Sequence, residues 1–393
     1  MINVALVGGS GFIGSNLARL LSSSDGYQVN SFDLNDDKLR LRFENKPYSF
    51  KRLDIRDSVS ELDRVIADAD VVVNLAAHVR PGLFLLKPLE VVDVNFFSNI
   101  PIIESCVRHK KFLLHFSTCE VYGKTGGNTE PFREDGTDCI FGPIANHRWI
   151  YANAKQLLDR IIHAHGLAGA LDYVIVRPFN VVGPLMDDVV PHWTREDNPR
   201  VLANFMSALI YNRPIQLVNG GRSRRCFTYI DDAVSALELL IRHRKDVNKQ
   251  IVNIGNPANE TTIADLATRL VGIYRTHCDP TVKGRLRRSR AKIFTGRATR
   301  IAIGACPTSQ NSNGWVGLPA SIWMKHSPAA QSIFTRTASA WNRCCRARRD
   351  RSLSRQRLRL FLSFVRHAVD FDGCSCAARS LGDLGPGFPL ARE

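Results

Sequence analysis

The opening residues, MINVALVGGSGFIGSNLARLLS, constrain the fold more than any other stretch of the chain. Residues 3–8 form a near-continuous apolar run, as expected of a strand covered on both faces. Residues 12–22 then take up helical spacing. Between them Gly9, Gly11 and Gly14 satisfy G-x-G-x-x-G, and Gly8 extends the pattern upstream. A strand that turns through glycines into a helix brings backbone N–H groups and the positive helix end to one point. The missing side chains leave room for a pyrophosphate there. Asp33 closes the next apolar stretch, residues 28–33, 19 residues after Gly14. A carboxylate at that place accepts hydrogen bonds from an adenosine ribose and repels a 2′-phosphate, so the expected cofactor is NAD rather than NADP.

Strand and helix patterns continue to alternate. Residues 70–75 (DVVVNL), 112–117 (FLLHFS) and 173–177 (YVIVR) read as further strands, with helices predicted over 88–109 and 149–165. Alternation of this kind implies an α/β fold, a Rossmann-type doubly wound parallel sheet. After Asn180 the pattern loosens into a helix over 201–211, a short strand over 215–218 and a helix around 231–243. The expected division is a dinucleotide-binding domain over 1–180 and a smaller substrate-binding lobe over 181–280, interleaved with returning sheet elements.

The net charge of +16 suggests a polyanion binder until it is divided along the chain. Residues 281–393 carry 21 Lys/Arg against 5 Asp/Glu, whereas residues 1–280 balance at 32 of each. A neutral body excludes nucleic-acid binding by the whole protein. In the basic end, segments such as GRLRRSRAK and RCCRARRDRS replace patterned elements. A solvated tail for an acidic partner, a disordered terminus and a shifted reading frame are the readings open to it, and the abrupt loss of pattern favours the last. The start of the chain lacks the basic segment of a signal peptide, and no run reaches the ~18 apolar residues of a membrane span. The body cysteines, Cys106, Cys119, Cys139, Cys226 and Cys278, have no paired metal-ligand spacing. They read as reduced thiols, so the expected location is the cytoplasm and the expected metal content is none.

Residues 149–155 read WIYANAK. Tyr151 and Lys155 are four apart on a predicted helix and share one face. A phenol of pKa ~10 is a poor base at neutral pH, but a nearby ammonium favours the phenolate. Tyr151 could then take a hydroxyl proton while the adjacent carbon gives hydride to a nicotinamide. Ser117-Thr118-Cys119-Glu120 supplies polar groups at a strand end, the partner such a pair requires.

The motifs GGSGFIG, STCEVYG, YANAK and RPFNVVGP resemble the extended short-chain dehydrogenase/reductase superfamily, also called the NAD-dependent epimerase/dehydratase family. HRWIYANAKQLLDR, GGRSRRCFTYIDD and VNIGNPANE are similar to two groups within it. These are the UDP-glucuronic acid decarboxylase domain of the bifunctional polymyxin-resistance protein and the UDP-apiose/UDP-xylose synthases. The resemblance covers residues 1 to about 275. It implies oxidation at C4 of UDP-glucuronate and decarboxylation to a UDP-pentose or UDP-4-ketopentose, in a homodimer formed through helices 88–109 and 149–165. Tyr151 would be the base, Lys155 would lower its pKa, Thr118 would bond the reacting oxygen, and Glu120 beside Cys119 would handle further protons. Gly8, Gly11, Phe12, Ile13, Gly14, Asp33, Asp54 and Ile55 match cofactor-binding positions. Arg148, Asn180, Arg200, Gln216, Arg222 and Arg225 match positions that hold the nucleotide sugar, where arginines bind phosphate bidentately. Asn95 matches a supporting asparagine. Val79 stands where the synthases have a second cysteine, and Phe84 where a substrate-contacting tyrosine is usual. The Tyr-Gly-rich segment and the arginine that both groups carry in their last quarter are missing after residue 280. A UDP-sugar 4-epimerase or dehydratase, or an impaired nucleotide-sugar-binding remnant, is the alternative.

Overall fold

The structure, a computed structural model, describes residues 1–43, 46–124, 132–183, 185–192 and 199–289. The first half runs β1 (Ile2–Val7), α1 (Phe12–Ser22), β2 (Tyr27–Asp33), α2 (Asp37–Phe43), β3 (Phe50–Arg52), α3 (Val59–Ala67) and β4 (Val71–Asn74). There follow α4 (Pro81–Leu86), α5 (Pro88–Asn95), α6 (Ile100–Arg108), β5 (Phe112–Phe116), α7 (Trp149–Leu167) and β6 (Tyr173–Pro178). The remaining elements are β7 (Val181–Val182), α8 (Val201–Ile210), β8 (Ile215–Val218), β9 (Arg224–Cys226), β10 (Thr228–Tyr229), α9 (Ile230–Arg242), β11 (Gln250–Ile254), β12 (Glu260–Thr262), α10 (Ile263–His277) and β13 (Leu286–Ser289).

Seven strands form one sheet in the order β11-β6-β5-β4-β1-β2-β3, and every pairing in it is parallel. The doubly wound fold read from the sequence is therefore present. Alternate residues of each strand feed opposite cores, as the two-residue period requires. Leu6, Val71, Leu114 and Val174 pack with Leu17 and Leu21 of α1 and Leu237 of α9. Val7, Val72, Leu113 and Ile175 pack with Ile102 and Ile103 of α6 and Leu158 and Ile162 of α7. The order reverses direction between β1 and β4, and a doubly wound sheet opens its ligand crevice outside the carboxyl ends of the strands at that point.

The single helix expected over 88–109 is two helices in the structure. Phe96, at φ −126° and ψ −71°, leaves helical geometry, and a 3₁₀ turn (Phe97–Asn99) precedes α6. Pro101 has no N–H to give the carbonyl of Phe97 and crowds it, which stops one continuous helix. The buried Asn95 and Asn99 are used instead for tertiary bonds. Asn95 accepts from the His78 N–H at 2.6 Å and donates to its carbonyl at 2.9 Å. Asn99 donates to the Val94 carbonyl at 2.7 Å and accepts from Asn74 at 2.7 Å.

Strand β11 returns from the second half to pair with β6. Among the described residues the second half also builds three two-stranded ribbons, one of them β8 with β13. Strand β13 belongs to the stretch whose sequence read as a basic end, and residues 290–393 of that stretch lie outside the described residues, together with the frame-shift and disorder readings. Cys106, Cys119, Cys139 and Cys278 are free thiols. Cys226 departs from the all-thiol expectation, being disulfide-bonded. Among the described residues no helix is long and apolar enough to cross a membrane, and no group of His, Cys, Asp and Glu could hold a metal ion.

Candidate active site

The glycine turn between β1 and α1 is shaped by close approach. Gly8 has φ +83°, and a Cβ there would lie 2.8 Å from the backbone nitrogen of Ala76. A Cβ on Gly14 would lie 2.5 Å from the Gly8 carbonyl oxygen and 2.8 Å from Gly9 backbone atoms. Gly11 is different, because a Cβ there would meet only the Gly8 oxygen, at 3.2 Å. Gly11 caps α1 without a side-chain hydrogen bond, and the first turn carries no acidic residue. No side chain of the first turn therefore covers the positive helix end. Phe12 turns its ring into the core and Ile13 is half-buried, so both offer the backbone of the first turn.

Asp33 ends β2 beside this turn. Its carboxylate accepts the Ser10 N–H at 2.9 Å and the Leu34 N–H at 2.8 Å. Burial pushes its pKa above the usual carboxylate range, against those bonds and the charge of Lys38. The Ser10 hydroxyl is buried without a hydrogen-bond partner among the described residues. An uncapped helix end, a serine hydroxyl held out of the network and a carboxylate at the second strand end fit a dinucleotide. Asp54 is engaged elsewhere, accepting the Arg56 N–H at 3.0 Å and its guanidinium at 2.6 Å, and that cation holds it below the usual carboxylate range. The Ile55 side chain is buried in the α3 face of the core.

The second cluster gathers at the end of β5. Thr118 caps a 3₁₀ turn (Cys119–Tyr122), its hydroxyl accepting the Glu120 N–H at 3.2 Å. Thr118 is also close enough to Tyr151 of α7 to favour its phenolate. Tyr151 is buried, its ring stacked on Phe84 of α4 with centroids 4.6 Å apart and planes 5° apart. Burial first, then the Glu120 charge, push its phenol above the ordinary value; Thr118 opposes them. Lys155, one turn further on, donates to the Phe116 carbonyl at 2.9 Å, and burial lowers its pKa to about 8. Glu120 accepts from Arg148 at 2.7 Å, and its Oε2 is buried without a partner among the described residues. Burial pushes the Cys119 thiol up to about 12, so it stands as a neutral thiol.

The residues read as nucleotide-sugar ligands divide. Half-buried Arg225, on β9, is near enough to Arg148, Glu120 and Cys119 for their charges to act on it; burial and Arg148 hold it below the usual guanidinium range. Arg200 caps the start of α8, pairs with Asp187 at 2.8 Å and reaches Tyr151 electrostatically. Asn180, at φ +36°, donates to the Cys226 carbonyl at 2.9 Å. Gln216 lies on β8 opposite Arg287, and Arg222 is exposed beyond the turn that follows β8. Two groups escaped the sequence reading. Lys38 donates to the Leu185 carbonyl at 2.6 Å and so ties α2 to the strap before α8. Ser117, Asp159 and Arg177 form a buried network behind the Tyr–Lys pair. Asp159, four residues past Lys155, was its one visible signal.

A Rossmann-type sheet with an open glycine turn at one strand end and a buried Tyr–Lys pair at another defines a dinucleotide-dependent enzyme of the short-chain dehydrogenase/reductase kind. Residues 4–255 match the NAD dependent epimerase/dehydratase family, and the chain belongs to that family. It is 40% identical over 293 residues to UDP-D-apiose/UDP-D-xylose synthase of Oryza sativa subsp. japonica, covering 70% of this chain and 73% of that one. It is 36% identical over 271 residues to the bifunctional polymyxin resistance protein ArnA of Wigglesworthia glossinidia brevipalpis, covering 69% of this chain and 41% of that one. Among solved structures it resembles the PbgP3 protein from Burkholderia pseudomallei, with TM-score 0.67 and 30% identity over 78% of this chain and 88% of the other.

Proposed function

We propose that this chain is an NAD-dependent enzyme that oxidises C4 of UDP-glucuronate and releases its carboxylate as carbon dioxide, leaving a UDP-pentose or UDP-4-ketopentose. The observation that carries the proposal is the buried Tyr151, stacked on Phe84 and acted on by Thr118 and Glu120 from the end of β5, with the Glu120–Arg148 pair beside it. The bound dinucleotide supplies a hydride acceptor. The uncapped start of α1 and Asp33 would hold it.

Tyr151 takes the proton of the 4-hydroxyl. Its phenol stands above its ordinary pKa in this structure, where Thr118 and the Arg200 charge oppose burial and Glu120; Lys155, whose ammonium is held by the Phe116 carbonyl, would have to add its charge in favour of the phenolate during reaction. Oxidation places a ketone β to the carboxylate carbon, and the electron pair released with carbon dioxide is taken up as an enolate. Arg148 offers that charge a cation, and Glu120, whose Oε2 has no described partner, offers a site for a ring hydroxyl proton. Arg225 supplies positive charge for the diphosphate, and Arg222, Arg200, Asn180 and Gln216 are the further positions proposed to hold the nucleotide sugar.

The test is incubation of the full chain with NAD and UDP-glucuronate labelled at the carboxylate. Labelled carbon dioxide and a UDP-pentose or UDP-4-ketopentose by mass spectrometry are the expected products. Epimerisation without loss of mass, or NAD binding without turnover, would overturn the reading in favour of an epimerase or of a binding remnant. We further infer a homodimer. Leu89 of α5 and Phe97 of the following turn are 81% and 62% exposed, and Leu157 of α7 is also exposed, so an apolar surface is available to a second copy. Sedimentation of Leu89→Asp against the unchanged protein tests it.

A further inference from the structure

Behind the Tyr–Lys pair lies a charged network that the chemistry above does not use. Asp159, one turn past Lys155 on α7, is buried, and its Oδ2 accepts from the Ser117 hydroxyl at 2.9 Å and from Arg177 at 3.1 and 3.3 Å. Arg177 comes from β6, is itself buried, and lies over the Tyr122 ring with its guanidinium carbon 4.9 Å from the centroid. Lys155 donates to the Phe116 carbonyl. Two successive turns of α7 therefore grip the last residue of β5, Phe116, through Lys155, and the residue that follows it, Ser117, through Asp159. The next residue is Thr118, which acts on the Tyr151 phenol and favours its phenolate.

We propose that Asp159 is a positioning residue: with Ser117 and Arg177 it clamps α7 to the end of β5 and keeps Lys155 charged one turn from Tyr151. The inference rests on Tyr151 and Lys155 being the reacting pair. The groups that face Lys155 are few. On its own helix there is Asp159, whose charge favours the ammonium against burial. From β5 comes His115, which burial and the Lys155 charge hold neutral. From β6, Arg177 acts through Asp159. Burial pushes the Asp159 carboxyl above its ordinary range, against Arg177, Ser117 and Lys155, which favour the anion; as the anion it stands between two cations. If the anion is removed, Arg177 cannot shed a proton at any usable pH, so the strain falls on Lys155. A neutral lysine has no charge with which to favour a phenolate.

Nuclear magnetic resonance of the full chain with ¹³Cε-labelled lysine reads this without substrate, the Lys155 signal being the one lost in Lys155→Met. Asp159→Asn should lower the titration midpoint of that signal by about one unit or more. The alkaline limb of kcat/KM should move down with it. Because Asp159→Asn leaves Arg177 without its partner carboxylate and can fail to fold, Asp159→Asn/Arg177→Gln is the second variant. It should move the midpoint in the same direction by less. An unmoved midpoint in a folded variant overturns the proposal, even if kcat falls. A protein that binds NAD but turns over no UDP-glucuronate refutes the functional reading alone, and an active enzyme with an unmoved Lys155 signal refutes this one alone.

Discussion

Two alanines in one turn should separate what the glycines do for the fold from what they do for the cofactor. In Gly14→Ala the new methyl meets three backbone atoms at 2.5 to 2.8 Å, and backbone cannot rotate aside. Overpacking of this kind costs typically ~1–3 kcal/mol, against a helix-propensity gain of ~1 kcal/mol for alanine over glycine. Contacts this short belong at the upper end of the cost, so a net loss of about 2 kcal/mol is expected. At ~2–4 °C per kcal/mol for a chain of this size, that is a Tm about 4–8 °C lower. In Gly11→Ala the one contact is 3.2 Å, and the backbone, at φ −64° and ψ 177°, accepts alanine. Its Tm should stay within about 2 °C, since surface changes of this sort fall within ±0.5 kcal/mol. Its methyl nevertheless projects where the pyrophosphate would approach, so NAD affinity, read by quenching of intrinsic fluorescence, should fall at least about tenfold. That loss corresponds to ~1.4 kcal/mol, less than one good charge-assisted contact. A Gly11→Ala protein that binds NAD like the parent would refute the placement of the cofactor. A Gly14→Ala protein as stable as the parent would refute the packing argument.

Other outcomes follow from the second cluster. Tyr151→Phe keeps the ring stacked on Phe84 and deletes the reacting hydroxyl, so kcat should fall by ~10²–10⁴ while NAD affinity and Tm hold, by steady-state kinetics and calorimetry. Lys155 has a folded pKa of about 8 against 10.5 unexposed to burial. Between those values the unfolded chain binds the extra proton, so stability rises with pH across the window. Below pH 8 the buried ammonium is a cost, and Lys155→Met should be the more stable protein there yet inactive. Its advantage should shrink from pH 8 to 10.5 in denaturant titrations, and a constant difference would sink the reasoning.

How much of this was legible in the sequence depended on distance along the chain. Helix α1 was read with its observed bounds, because glycines at one end and a second strand at the other leave it little choice. The fault in the helix over 88–109 was harder to see. Its apolar period continues through Pro101, and the demand on Asn95 and Asn99 comes from His78 and Asn74, which no local window contains. The Tyr151–Lys155 spacing is a four-residue signal. The tie of Asp159 to Arg177 crosses from α7 to β6 and could not be read before the fold was known. The pairing of Asp54 with Arg56 is local and could have been anticipated, since a carboxylate two residues from a guanidinium needs no distant partner. Strand β13 lies where charge composition dominates the sequence, and alternation in RLRRS is too brief to show that it pairs with β8.

The charges at the mouth of the site lead to a last expectation. Arg148 and Arg225 act on one another across the site, and Glu120 is the anion between them. Two guanidinium groups held close in a half-buried place repel, and the cost is recovered when a polyanion enters. UDP alone, without the sugar or the dinucleotide, should therefore stabilise the free protein. At 100 times its Kd a ligand contributes ~2.7 kcal/mol, a rise of about 5–10 °C in Tm for this size of chain. UMP, with one phosphate fewer, should contribute less at equal concentration. In Arg225→Met the repulsion is gone before ligand arrives, so the free protein should be no less stable while the UDP-dependent rise shrinks. If UDP raised the Tm of Arg225→Met as much as that of the parent, the diphosphate would have to bind elsewhere on the molecule.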